Sequence, residues 1–370
     1  MDLKSLLLSQ DEKTVRILRR VLGDLEIGIE HFSTSEDAIR RLTRQRFEAI
    51  IVDCSDLEHS NNVLLATKSA PVNKRALTIV LVEASVGLKG GFEIGAHFVL
   101  HKPLAVERAK ASFRAVRALM KSERRLQMRV PVQIPVLCVG ASRYQAKTLD
   151  LCEGGMAVQF SGRAAKESVL RFSLDLPGVD AKIEVWGELA WEGEGARAGV
   201  RFKDVSDEQR LSLRNWLSRQ LPEGEPDDPP VPCRLAQLSP GACYLTTTTP
   251  FPKSTRVVLS FRTTDPHLRA SGVVRLSHGE RGMGIEFLKA NSEQQGQIRA
   301  MVAALRAAGD SAELHVEPDG LDAASEEQPA GKSQSSGKKD TLLDLFSKQS
   351  QVPAEAFFQQ LEQQTVQESR

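Results

Sequence analysis

Two textures of apolar patterning follow one another along the chain. Up to residue 120, short apolar runs alternate with segments of helical spacing. Leu6-Leu7-Leu8, Ile27-Gly28-Ile29, Ala49-Ile50-Ile51-Val52, the run 77–82 and Phe98-Val99-Leu100 read as buried strands. Segments 15–22 and 106–120 carry apolar residues three and four apart, as on one helix face. Strand and helix in alternation predict a parallel sheet covered on both sides. From Lys121 to about Arg219 the period drops to two. Leu170, Phe172, Leu174 and Leu176 alternate with polar residues, and so do Ile183, Val185, Leu189 and Trp191 around Gly187. With Pro and Gly turns between them, these segments predict a half-buried antiparallel sheet or barrel. A helix closes the region, with Ser206 and Gln209 at capping-box spacing and Leu213, Trp216 and Leu217 on one face.

Residues 220–232 include PEGEPDDPPVP, an acidic, proline-rich linker. Beyond it the β texture returns and an ending repeats. Gly199-Val200-Arg201-Phe202 precedes the first capped helix. Gly284-Ile285-Glu286-Phe287 precedes a second, whose stripe is Ile298, Met301, Val302 and Leu305. Tandem duplication is the simplest explanation. From Asp310 onward Ser, Gln, Gly, Lys and Glu dominate, and a disordered tail is expected. Within it Leu342, Leu345 and Phe346 would share one helix face, and Phe357, Phe358 and Leu361 another, patterns suited to docking in a partner's groove.

Composition narrows the function classes. The 370 residues include 49 Lys+Arg and 48 Asp+Glu, so net charge gives no argument for nucleic acid or an anionic membrane. Five scattered cysteines without a CxxC pair argue against a disulfide framework or a structural zinc site. Seven dispersed histidines form no HxH or HExxH, so metal-dependent hydrolysis is not expected. The longest early apolar run, Leu6-Leu7-Leu8, is too short for a signal peptide or a span, and a cytoplasmic location is expected.

The chemistry concentrates near the start of the β region. Arg125 and Arg129 stand four apart, with Arg124 beside them, and Asp150-Leu151-Cys152-Glu153-Gly154-Gly155 follows. Together these segments resemble the PilZ domain family, whose signature is RxxxR ahead of the barrel and [D/N]xSxxG on an early strand. The resemblance covers 121–219 and implies cyclic di-GMP as ligand. Guanidinium groups fork onto phosphate oxygens and stack on bases, and a carboxylate suits the donors of guanine's Watson–Crick edge. By resemblance, Arg125 and Arg129 clamp base and phosphate, Arg124 adds a phosphate contact, and Asp150 reads guanine. Gly155 would let the backbone approach the ligand. Cys152 departs from the family's serine. If that hydroxyl contributes about 0.5–1.5 kcal/mol, a thiol there weakens binding roughly three- to tenfold.

The second β region, 233–309, carries Gln237-Leu238-Ser239-Pro240-Gly241-Ala242 at the corresponding place, without the acid, the final glycine or the arginine pair. It resembles a degenerate PilZ domain, expected to serve as a structural or partner-binding barrel. Over 1–120, Asp53 ends one strand and Lys102-Pro103 follows another, resembling the receiver domain of response regulators. That resemblance implies a phosphoacceptor aspartate, a lysine that steadies its charge, and a pair of acids for magnesium. Here Ser9 and Gln10, or in a register one later Gln10 and Asp11, hold the acidic positions, and Glu83 stands where a Ser or Thr is usual. The missing carboxylate argues against Mg2+, and a negative Glu83 would repel a phosphorylated Asp53. A pseudo-receiver is expected, with Asp53 and Lys102 retained as an ion pair.

The expected architecture is multidomain: a receiver-like doubly wound α/β sheet, two PilZ-type antiparallel β-barrels each followed by a helix, and the tail at 310–370. The expected function is a non-enzymatic effector or adaptor that senses cyclic di-GMP and relays its state to a protein partner through the receiver-like domain, the second barrel or the tail. Alternatives are a phosphorelay regulator controlled at Asp53 and a scaffold that binds no ligand. The basic patch 121–129 lacks interleaved aromatics, which argues against nucleic acid.

Overall fold

The computed structural model describes residues 3–55, 57–70, 72–83, 96–140, 142–162, 168–179, 182–220, 228–261, 268–278, 281–288, 292–308, 313–321 and 341–348. Two compact units emerge. One comprises Met1–Glu123 and Asp228–Arg370, the other Arg124–Asp227.

The first unit opens with strands β1 (Leu3–Leu8), β2 (Ile27–Phe32), β3 (Ala49–Asp53), β4 (Leu77–Glu83) and β5 (Phe98–Lys102). They pair in parallel in the order β2-β1-β3-β4-β5. This is the doubly wound order in which ligands sit at the carboxyl ends of β1 and β3. The apolar runs are continuous because both faces are covered. Leu3, Leu7, Ile51 and Ile79 pack with Leu18 and Leu22 of α1 (Glu12–Asp24) and Phe113 and Val116 of α4 (Val106–Gln127). Leu6, Ile50, Val52 and Val80 face Ala38 and Leu42 of α2 (Ser35–Leu42) and Val63 and Leu64 of α3 (Leu57–Ser69).

Helix α4 runs on past Met120 to Gln127, further than its apolar spacing predicts. Arg124 and Arg125 therefore lie in its last turn, where cations complement the helix dipole.

The second unit is a closed antiparallel barrel of β6 (Pro135–Val139), β7 (Arg143–Cys152), β8 (Gly155–Phe160), β9 (Val169–Leu174), β10 (Ile183–Gly193) and β11 (Arg197–Asp204), in the order β10-β11-β8-β7-β6-β9. Helix α5 (Asp207–Gln220) follows, capped where predicted, the Gln209 N–H donating to Ser206 Oγ at 3.3 Å. Its Leu213, Trp216 and Leu217 are buried against the barrel core with Leu176 and Ile183. The Trp216 indole N–H donates to the Pro177 carbonyl at 2.9 Å.

The first unit contains a second closed barrel: β12 (Val231–Leu238), β13 (Ala242–Thr246), β14 (Thr255–Phe261), β15 (Leu268–His278), β16 (Gly282–Phe287) and β17 (Glu313–Leu321), in the order β12-β13-β16-β15-β14-β17. Helix α6 (Ser292–Ala308) intervenes before β17. The two rings match strand for strand, with one permutation. Strand β6, which pairs with β7 and β9, comes first in its barrel. Strand β17, which pairs with β12 and β14, comes last. A five-stranded version would leave the edges of β12 and β14 unpaired. The expectation of a tail without structure from Asp310 is thus corrected for 313–321, where Leu314 and Val316 enter the core. Its polar, Pro- and Gly-containing sequence conceals two inward apolar positions.

Charged residues of α4 secure both ends of this barrel. Lys121 Nζ donates to Asp228 Oδ1 at 2.8 Å, Arg117 pairs with the same carboxylate, and the Leu321 N–H donates to Glu123 Oε1 at 2.5 Å. A last helix, α7 (Thr341–Lys348), has Leu342, Leu345 and Phe346 buried against Ala242, Tyr244 and Leu276. Those three residues do share a face, and it docks on this chain. Phe357, Phe358 and Leu361 lie outside the described residues.

Tyr244 Oη and His278 Nδ1 are 2.9 Å apart beneath that helix. Burial, reinforced by Lys253 and Arg281, pulls the His278 imidazole from 6.5 down to about 4. The unfolded chain therefore takes up a proton first as pH falls below 6.5. Stability is lost between about pH 6.5 and 4, and this contribution levels off below that. At about 1.4 kcal/mol per unit, the wild type should lose about 3 kcal/mol more than His278→Gln between pH 7 and 4 in urea unfolding.

Candidate functional site

In the first barrel, the turn between β7 and β8 gathers the motif residues. Arg129, just beyond α4, donates from Nη1 to Asp150 Oδ1 at 2.5 Å. The same oxygen accepts the Ala157 N–H at 3.1 Å, which fixes the carboxylate over β8. Arg125 Nε stands 3.9 Å from Glu153 Oε1 on the same turn, and Arg214 Nε of α5 donates to Glu153 Oε2 at 3.1 Å. Residues 125 and 129 are thus both held against one turn by its own carboxylates. The segment following α4 is also pinned by backbone, Val130 and Leu151 exchanging hydrogen bonds at 2.8 and 2.9 Å. Arg124 is half-buried on the last turn of the helix.

Sequence reasoning did not single out Glu153 and Arg214. Glu153 occupies an unspecified position of the motif, and nothing in the order of residues shows that it is buried (5% exposed) between two arginines.

Two motif residues have close partners within the barrel itself. A Cβ on Gly155 would come within 2.2 Å of the Val200 carbonyl oxygen, so the close approach that glycine permits is to β11 of its own barrel. Cys152 is buried inside the turn, its thiol facing the Gly154 and Gly155 N–H groups. Burial raises its pKa and keeps it a neutral thiol. In the second barrel the hydroxyl of Ser239 does the same work, accepting the Ala242 N–H at 3.0 Å. A thiol, the weaker hydrogen-bond partner, thus stands in this turn where the second barrel has a hydroxyl.

Strand register extends the site beyond the motif. Asp150 pairs with Ala157, Ala157 with Gly199, and Gly199 with Trp191. This row crosses β7, β8, β11 and β10. A Cβ on Gly199 would strike the Trp191 ring, so the indole lies across the glycine, and it remains half exposed at the far end of the row from Asp150.

The receiver-like sheet has its own polar cluster at the carboxyl edge. Buried Asp53 accepts from Ser9 Oγ at 2.8 Å and Ser55 Oγ at 2.7 Å, and Lys102 Nζ lies 3.0 Å from its Oδ1. Lys102 also reaches Glu83 at 3.1 Å and Ser55 Oγ at 2.8 Å. Burial acts to lower the lysine's pKa, but Asp53 and Glu83 together raise it, so the ammonium is secured. The adjoining cavity, about 200 Å³, is lined by Ser9, Gln10, Asp11 and Asp53 among others. Asp11 is engaged locally. Its carboxylate caps α1, accepting from the Lys13 N–H at 3.0 Å and Thr14 Oγ1 at 2.6 Å. The residues after β1 thus do not supply the pair of acids magnesium would need. Among the described residues, no cluster of three or more His, Cys, Asp or Glu side chains is arranged to hold a metal. No described helix is long and apolar enough to cross a membrane.

A family model described as the PilZ domain matches residues 123–219 and 221–304. Two stretches of the chain, together just under half of it, thus match the PilZ domain in tandem behind the parallel α/β sheet, and β17 lies beyond the second match. No curated protein matches. Among solved structures, the chemotaxis response regulator CheY4 of Vibrio cholerae is 18% identical, over 31% of this chain and 99% of that one, with a TM-score of 0.29. The receiver domain of sensor histidine kinase PA1611 from Pseudomonas aeruginosa is 17% identical over 33% and 99%, TM-score 0.29. The PilZ domain of CeSA from a cellulose-synthesizing bacterium is 20% identical over 25% and 94%, TM-score 0.20. These likenesses concern fold alone.

Substituting Gly155→Ala forces β8 away from β11. Overpacking of this kind costs about 1–3 kcal/mol. Hydrogen exchange should show protection lost at the β8 and β11 amides, and unchanged in the receiver-like sheet.

Proposed function

We propose that the first barrel binds cyclic di-GMP and that the chain is a cytoplasmic, non-enzymatic effector passing the ligand's presence to a protein partner. The supporting observation is the convergence of Arg125, Arg129 and Asp150 on the β7–β8 turn. In the free protein the guanidinium groups rest on carboxylates. The Arg129–Asp150 pair is substantially exposed, 44% on the arginine side, and such pairs contribute about 0–1 kcal/mol. Exchanging it for a doubly anionic ligand costs little. A phosphate then takes the arginine fork, and Asp150, held by Ala157 N–H, turns to the N1–H and N2–H of a guanine. Arg124 supplies a further cation on the last turn of α4. Glu153 and Arg214 position Arg125 and need not touch the ligand.

A magnesium-dependent receiver acting through Asp53 finds less support, because Ser9, Ser55 and Lys102 already occupy that carboxylate and the second acid is missing. Five free, buried cysteines suit a reducing compartment.

Calorimetric titration of the full chain with cyclic di-GMP tests the reading. Losing one charge-assisted contact of about 1.5–3 kcal/mol should weaken binding by about ten- to a hundredfold in Arg129→Ala and in Asp150→Ala. Cys152→Ser should change affinity less than threefold, since the side chain lies inside the turn. Absence of binding in the wild type, or equal affinity in all variants, would reject the assignment.

A further inference from the structure

The second barrel repeats the row that carries Asp150, with different residues and a different cover. Gln237 pairs with Tyr244, Tyr244 with Gly284, and Gly284 with Leu276. Position by position, Gln237 stands for Asp150, Tyr244 for Ala157, Gly284 for Gly199 and Leu276 for Trp191. In the first barrel a residue of the row itself, Trp191, covers the glycine. In the second, Leu276 is buried and the glycine is covered from outside. A Cβ on Gly284 would come within 2.6 Å of the Phe346 ring of α7. Leu342, Leu345 and Phe346 together bury Ala242, Tyr244 and Leu276, leaving each of the six under 9% exposed.

We propose that the second barrel is a helix-recognition module. The surface that in the first barrel forms the ligand wall has been rebuilt to take the apolar face of a short amphipathic helix, and α7 is its intramolecular occupant. Its specificity is for Leu-x-x-Leu-Phe spacing. Gly284 opens a seat for the aromatic ring, and Tyr244 and Leu276 form an apolar floor for the two leucines. Tyr244, tied by its hydroxyl to His278, holds that floor in one orientation. The changes from the first barrel run in one direction: an acid becomes an amide, an alanine becomes a tyrosine, and an exposed indole becomes a buried leucine. With the arginine pair also absent from this repeat, they replace the row that carries Asp150 by an apolar surface suited to a helix. The comparison with a ligand wall rests on the reading of the first barrel given above. Helix recognition stands without it, and its test contains no nucleotide.

Only 19 residues, 322–340, join β17 to α7. A covalent tether of that length presents the helix at an effective concentration on the order of millimolar, so it excludes weaker or more dilute competitors. Disabling α7 in the full chain exposes the seat to a helix supplied in trans. The probe is a fluorescein-labelled, C-terminally amidated peptide with the sequence of residues 338–350, titrated by anisotropy. The chain bearing Leu342→Ala, Leu345→Ala and Phe346→Ala should bind it at least about tenfold more tightly than the wild type. Adding Gly284→Val to that triple variant should abolish binding. A peptide in which Phe346→Ala is introduced should not bind at all. In parallel, hydrogen exchange on the single variant Gly284→Val, whose α7 is unaltered, should show the α7 amides losing protection while β13 and β16 keep theirs. Failure of the triple variant to bind, equal affinity in triple variant and wild type, or unchanged α7 protection in Gly284→Val would overturn the proposal. None of these outcomes depends on whether the first barrel binds cyclic di-GMP, so the two readings fail separately.

Discussion

A six-stranded ring has no free edge, and both barrels owe their usable surfaces to that closure. Once each strand is paired on both sides, register is fixed all the way round. Four strands then present one residue each in a row: Asp150, Ala157, Gly199 and Trp191 in one ring, Gln237, Tyr244, Gly284 and Leu276 in the other. A slip by one position in any pairing would send that row's side chains to the opposite face. In the second ring closure waits for β17, which the chain delivers only after α6.

The chain uses one electrostatic device in two environments with opposite consequences. Arg129 and Asp150 meet near solvent, where water can replace either partner. Asp53 and Lys102 meet with both side chains buried and with Ser9, Ser55 and Glu83 completing the network. Removing one partner of such a pair typically costs about 3–5 kcal/mol, because the other charge is left stranded. Solvent access thus makes the first pair a replaceable contact and the second a fastening of the sheet edge.

Helix α4 links these elements along the chain. Its apolar face covers the parallel sheet through Phe113 and Val116. Its middle cations and Glu123 hold the start and finish of the second barrel. Its final turn carries Arg124 and Arg125. The one helix thus has three successive sets of partners along its length.

Local pattern was enough to identify the parallel α/β sheet, the β texture of both repeats and the apolar face of α7, because periods of two and 3.6 are written in neighbouring residues. Arg125, Arg129 and Asp150 stand out in the sequence by type and spacing, and the structure brings all three to the β7–β8 turn. Pairing decided everything else. The segment 313–321 looks like tail until two distant strand edges require it. Glu153 looks like an ordinary surface acid until α4 and α5 bring an arginine to each side of it. Gly155 and Cys152 gain their packing partners only when β11 and the turn close around them. Gly284 acquires meaning only when Phe346 arrives from 62 positions away. Such partners are separated by tens or hundreds of residues, and only closure of the rings and burial of their faces select which of them meet.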